Sequence, residues 1–207
     1  MSKLFWMGVL LLTLGQFSAV AQAPPLDTFI SPDGAFQFVY PESYDLLVGE
    51  RILRATQGRQ QSITVCNFST ALVCVIYPIE TEEETRFEAA GFSVDAVPGV
   101  TNESDCLNYS DQTTQQGGEA LKLTSISINE HIYHHASARR KTPGHLQAAD
   151  LYRTFHHDKC YELQVEVSLA EAASAPQPSR LVSLGDAKAD SARESLRLIL
   201  SSFAFKQ

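Results

Sequence analysis

From Cys160 to Leu169, apolar residues (Tyr161, Leu163, Val165, Val167, Leu169) alternate without a break with polar ones (Glu162, Gln164, Glu166, Ser168). That period of two is the signature of a half-buried β-strand. Upstream of it the same reading gives three more strands, at about 120–128, 131–140 and 145–155, with the fourth at 160–169. The links are short: Asn129-Glu130, then Lys141 to Gly144, then a turn around His157 to Lys159. Short links between consecutive strands predict an antiparallel meander. If Ile128 pairs with His131, one face carries Leu121, Leu123, Ile132, Ala136 and Ala138, and we take it as the core face. The other carries Ile126, His131, Tyr133 and His135.

Earlier in the chain, Ser31-Pro32-Asp33-Gly34 is built from residues that pre-set or tolerate turn dihedrals. A strand follows over Ala35 to Tyr40 and Pro41 closes it. An extended segment is expected over Leu46 to Thr56, then two short strands, Ser62 to Phe68 and Leu72 to Pro78, joined by a tight turn. Thr81 offers a helix start, with Glu84 reaching back to complete a capping box and Gly91 as the stop. The capping role accounts for the acidic run Glu80 to Glu84, which could otherwise be read as a cation site. Residues 98–118 read as a long polar loop, and Ala170 to Gly185 as an Ala/Pro/Ser-rich connector. The last element is a helix over Ala187 to Ser201, with Ala189, Leu196, Ile199, Leu200 and Phe203 on one side. The fold class that results is α+β: an antiparallel sheet with a C-terminal meander, packed by a short central helix and a C-terminal helix.

The first residues do not belong to that fold. Lys3, the apolar run Leu4 to Leu14 and the small residues Ser-Ala-Val-Ala-Gln-Ala (18–23) form a secretory signal. Cleavage after Ala21 fits, because cleavage after Ala23 would place Pro24 at the scissile bond. The run falls short of the ~20 apolar residues that span a bilayer. The domain reading is therefore a signal peptide over 1–21, an N-terminal leader over 22–34 and one domain over 35–207. Such a protein is exported, periplasmic or extracellular, with no stable membrane insertion after cleavage. Without Lys3 the basic residues are one fewer than the 16 of the whole chain, against 24 acidic ones, so the formal charge is −9 in place of −8. A surface of that sign does not suit a nucleic-acid backbone or anionic lipid.

All four cysteines (Cys66, Cys74, Cys106, Cys160) lie beyond the signal, and an even number in an exported chain indicates disulfides. Four cysteines allow three pairings. If the two short strands form a hairpin, Cys66 faces Cys74 and Cys106 is left with Cys160. A four-thiolate zinc site does not fit, since no CxxC spacing is present.

All six histidines lie between positions 131 and 157. In the meander, His131 starts the second strand at the end where the turn bearing His156, His157 and Asp158 closes the third and fourth. Glu130 is there too. Imidazoles and carboxylates at one rim are donors suited to zinc, copper or nickel. The plain alternative is exposed histidines on strand ends and turns, and a third is a rim that changes charge near pH 6.5. The expectation for a resident cofactor is none, with the metal rim as the alternative. Hydrolase signatures (GxSxG, HExxH, SxxK) are absent, as is a glycine loop leading from a strand into a helix. An enzyme would need a site assembled from distant residues, set in a deep polar pocket.

Three stretches together resemble a known pattern: Ser-Pro-Asp-Gly-Ala-Phe-Gln-Phe-Val-Tyr-Pro (31–41), the meander ending Cys-Tyr-Glu-Leu-Gln-Val (160–165), and the closing helix running into Ser-Ser-Phe-Ala-Phe (201–205). The chain is similar to the PsbP-like α/β/α sandwich, shared by the extrinsic photosystem II subunit and many exported bacterial proteins. The resemblance implies a non-catalytic binding or assembly factor. Together with the missing reaction motifs, it sets the functional expectation: a protein or small-molecule ligand is bound by the sheet face and loops.

Overall fold

The computed structural model describes residues 24–49, 52, 65–66, 70–78, 87–108, 123–142, 144–170 and 187–206. The signal segment 1–21, the helix start at Thr81, most of the 62–68 strand, Leu121 and the connector from 171 to 185 lie outside the described residues. Two sheets form. Strands β1 (Leu26–Ile30), β2 (Phe36–Pro41) and β10 (Ala204–Phe205) make a small sheet in the order β1-β2-β10. The large sheet runs β3-β4-β5-β9-β8-β7-β6. Its members are β3 (Asp45–Val48), β4 (Ala71–Ile76), β5 (Phe87–Ala96), β6 (Thr124–Ile128), β7 (His131–Thr142), β8 (His145–His156) and β9 (Lys159–Ala170). All pairings are antiparallel. Among the described residues, helices α1 (Glu103–Leu107) and α2 (Ala187–Ser202) complete the α+β fold.

The C-terminal meander is present with the expected register, Ile128 opposite His131. The face assignment is reversed. Tyr133 is fully buried and Ile126 and Ile128 join the main core, whereas Ile132 and Leu123 are exposed at 66% and 43%. The reason is the position of α2, which covers the face bearing the larger side chains. Ala136 is buried too, but in a small separate cluster with Leu151 on the opposite face.

The main core lies between the large sheet and a layer made of α2 and the small sheet. From β2, Phe36, Phe38 and Tyr40 point inward, with Phe38 meeting Phe92 edge-on at 5.3 Å and Phe36 stacking on Phe203 at 5.2 Å. From α2, Ala189, Ala192, Leu196, Ile199 and Leu200 are buried, as the helical spacing predicts. The Ser31–Gly34 turn also forms as expected: Gly34 adopts φ +71°, its N–H donates to Ser31 O, and Ser31 Oγ accepts from Phe36 N.

Four expectations need correction. The leader over 22–34 contains β1, because Phe29 turns inward and the strand pairs along β2 from Leu26 opposite Pro41 to Ile30 opposite Gln37. The extended segment from Leu46 stops at Val48, where Gly49 takes φ +55° and its carbonyl accepts from Ile52 N–H. Gly91 does not end a helix but lies inside β5. There a Cβ would come within 3.0 Å of Val65 Cγ2 and 3.3 Å of the Val65 carbonyl, so the absent side chain makes room for a covering segment. A short helix, α1, forms within the stretch read as a loop. Asn102 caps it by accepting from Asp105 N–H, and it packs on β8 and β9 on the face opposite α2.

Cys66 is bonded to Cys74 and Cys106 to Cys160, and the described residues contain no free cysteine. The first bond sits with Val65 and Ala89 in a cluster on the face away from α2, and the second fastens α1 to the start of β9. Two disulfides fit an exported protein. No helix among the described residues is long and apolar enough to cross a membrane.

Candidate functional site at the histidine rim

Two of the three hairpins of the meander close with two residues in the left-handed region: Asn129 and Glu130 at φ +45° and +71°, His157 and Asp158 at +46° and +60°. Such pairs match the twist of the strands they join, and Asn and Asp tolerate them best. The two turns end the sheet on the same side. Asn129 fixes its turn to the end of α2, donating from Nδ2 to Ser201 O (2.9 Å) and Phe203 O (2.7 Å). Beside the other turn, Lys159 pairs with Asp33 at 3.4 Å.

Of the residues proposed from sequence, the rings of His131, His156 and His157 are in contact here, and Asp158 is not among them. His131 and His156 contact edge to face with ring centroids 5.3 Å apart. His156 lies between two rings, His157 and Phe205, each 4.0 Å away and tilted by 33° and 20°. Phe205 comes from β10, which brings the far end of the chain into the rim.

The geometry bears on what the rim can bind. Imidazole lone pairs lie in the plane of the ring, so rings stacked face to face do not present their nitrogens to a common ion. Among the described residues no group of three or more His, Cys, Asp or Glu side chains is placed to hold a metal. Asp158 is exposed and serves the turn. Burial of the His156 ring, reinforced by His157 and His131, lowers its pKa below the usual imidazole value, and its Nε2 is buried without a partner. The rim is an aromatic stack, and burial within it favours the neutral form of His156.

The remaining histidines sit elsewhere. His145 Nδ1 contacts Glu88 at 2.8 Å, His134 lies on the face away from α2, and His135 stacks on Tyr152 at 4.7 Å with its Nδ1 bonded to Thr124 Oγ1 at 3.2 Å.

Sequence reasoning missed the buried polar groups. The polar positions of β9 suggested a solvent face, yet Glu162 and Ser168 are buried, because β9 is central, flanked by β5 and β8. Three carboxylates among the described residues are buried, and each has a donor on each oxygen. Asp95 accepts from Thr70 (2.8 Å) and Ser93 (2.7 Å), and Asp150 from Ser137 (2.8 Å) and Arg197 (3.0 Å). Glu162 accepts from Arg153 and from Gln164 at 2.7 Å. Burial raises the Asp95 carboxyl to about 7, against the Ser93 and Thr70 hydrogen bonds, with Glu162 adding to the rise. It raises Glu166 to about 7 as well, opposed by Arg140 and helped by Asp95. Asp95 and Glu162 face each other across two adjacent central strands, which only the register reveals.

No protein-family model and no curated protein matches the chain. Three solved structures are similar in chain course. A Bacteroides thetaiotaomicron protein shares 11% identity at a TM-score of 0.43; the match covers 87% of this chain and 48% of that one, so this chain spans about half its length. LpqN of Mycobacterium tuberculosis, described as involved in cell envelope biogenesis, shares 7% identity at a TM-score of 0.47, over 88% and 91% of the two chains. The PsbP of the cyanobacterium Synechocystis sp. PCC 6803 shares 14% identity at 0.43, over 93% and 99%.

Proposed function

We propose that this is an exported, non-catalytic binding protein that takes an extended segment of a partner protein along the free edge of its large sheet. The observation that carries the reading is β6, Thr-Ser-Ile-Ser-Ile, which closes the sheet among the described residues and has no charge or proline. Edge strands are ordinarily blunted by such residues, and an unprotected edge is a template for strand addition. Because Ile128 and His131 flank a two-residue turn, they form a hydrogen-bonded pair, and the alternation leaves the backbone groups of Ser125 and Ser127 facing outward. Exposed Ile132, across from Ser127, and Leu123, just before β6, supply apolar surface beside that edge.

The test is a photo-cross-linking residue at Ile132 in the protein expressed in its native host. A discrete protein adduct that disappears on Ser127→Pro is the expected result. That change removes an outward N–H and spares the β6–β7 ladder. No adduct, or turnover on a hydrolase or redox substrate panel that is lost on mutating single residues, overturns the reading.

A further inference from the structure

On the other face of the sheet, α2 and the strands β7 and β8 meet in a corner with its own chemistry. Arg193 and Arg197 are one helical turn apart and share a flank of α2. Below them, on adjacent register rows, lie His135 opposite Tyr152 and Ser137 opposite Asp150, with Arg139 on the next row opposite the small Ala148. Asp150 is fully engaged, by Ser137 on one oxygen and Arg197 on the other, with His135 Nε2 at 3.6 Å. Arg197 is answered again by Glu194 on the helix surface. Arg193 acts on the charge of Asp150 but makes no ion pair among the described residues, and its Nε is buried without a hydrogen-bond partner. The Nε2 of His135 is buried without a hydrogen bond, and the charge it faces is the Asp150 carboxylate at 3.6 Å. Native proteins leave few buried polar atoms unpaired, and the unpaired Arg193 Nε–H beside the Asp150–Arg197 pair points to a missing acceptor.

We propose that this corner binds an oxyanion, a carboxylate or a phosphate group, with Arg193 as the principal donor and His135 and Arg139 beside it. A guanidinium offers Nε–H and one terminal N–H as parallel donors, the geometry that two oxygens of a carboxylate or phosphate accept. The site is separate from the β6 edge, since Ile132 and His135 lie on opposite faces of β7, and it stands whether or not a partner adds a strand there.

The test uses the full mature protein, labelled with ¹⁵N, and titrations of inorganic phosphate and of succinate at constant pH and ionic strength, with chloride as the reference salt. The expected result is a saturable shift of the Arg193 Nε–H resonance with at least one of the two anions. Tighter binding of phosphate or of succinate identifies which oxyanion the site takes. In Arg193→Gln the affinity, read from the His135 ring resonances and from the anion-dependent rise in Tm, falls by roughly tenfold or more. Arg139→Gln weakens it less. Absence of a saturable response to either anion overturns the proposal, as does an equal response in wild type and Arg193→Gln.

Discussion

A methyl group at position 91 has nowhere to go. Its Cβ would meet Val65 Cγ2 at 3.0 Å and the Val65 carbonyl oxygen at 3.3 Å, and overpacking of this kind costs about 1–3 kcal/mol. Gly91→Ala is expected to lower stability by about that much in urea unfolding, with part of the loss recovered when Val65→Ala is added, so that a double-mutant cycle shows coupling. Asp95 makes a different prediction. Its carboxyl and that of Glu166 are raised to about 7, so between the ordinary carboxylate range and pH 7 the folded state binds more protons than the unfolded one. Their contribution is then fully present at acid pH and is lost as pH rises through about 7. Asp150, with its pKa lowered, works the other way and loses its contribution only as pH falls below the usual carboxylate range. His156 also opposes the trend, since a lowered imidazole pKa costs stability as pH drops through the usual imidazole value. Comparing Asp95→Asn with wild type cancels these shared contributions: the variant should lose less Tm than wild type between pH 5.5 and pH 8. Parallel slopes would mean that Asp95 is ionised throughout.

The docking of α2 rests on a few named hydrogen bonds at its last turn. Asn129 donates to two carbonyls there, and Ser202 Oγ accepts from Val39 N–H at 2.8 Å, taking the place of a strand partner where β10 has ended. Asn129→Gly keeps the left-handed turn accessible and removes both donors. The expected loss is about 2 kcal/mol, accompanied by faster amide exchange across the end of α2. Much at this scale was legible. Alternation and short links gave the meander and its register, and helical spacing gave the buried side of α2. Which sheet face is the core was not legible, because two small residues, Ala136 and Ala138, weighed as much in the pattern as Tyr133 and Ile126, and only the position of α2 separates them. The Thr81–Gly91 helix failed at Gly91 because what that glycine answers to, Val65, is distant in sequence. The rim was partly legible: the histidines were expected to meet, but Phe205, which turns them into a stack, enters from a strand far down the chain.

Taken whole, the molecule is stapled at two very different scales. Cys66–Cys74 closes a separation of 8 residues and Cys106–Cys160 one of 54. Chain entropy assigns about 2.5 kcal/mol to the first and about 4 kcal/mol to the second. Replacing Cys106 and Cys160 together by serine should therefore lower the urea midpoint more than replacing Cys66 and Cys74, and the reverse order would show that local strain or packing outweighs loop length. A longer-range closure involves no covalent bond. Ser202 meets Val39 across 163 residues, and Phe205 pairs with Phe36. A chain crossing a membrane N-terminus first emerges with β1 and β2 early and β10 late. Through that whole passage Phe29, Phe36, Phe38 and Tyr40 have neither α2 nor Phe203 to cover them. Aromatic surface held open for so long is a hazard for aggregation, so the last step of folding is also the one that ends the chain's exposure to its neighbours.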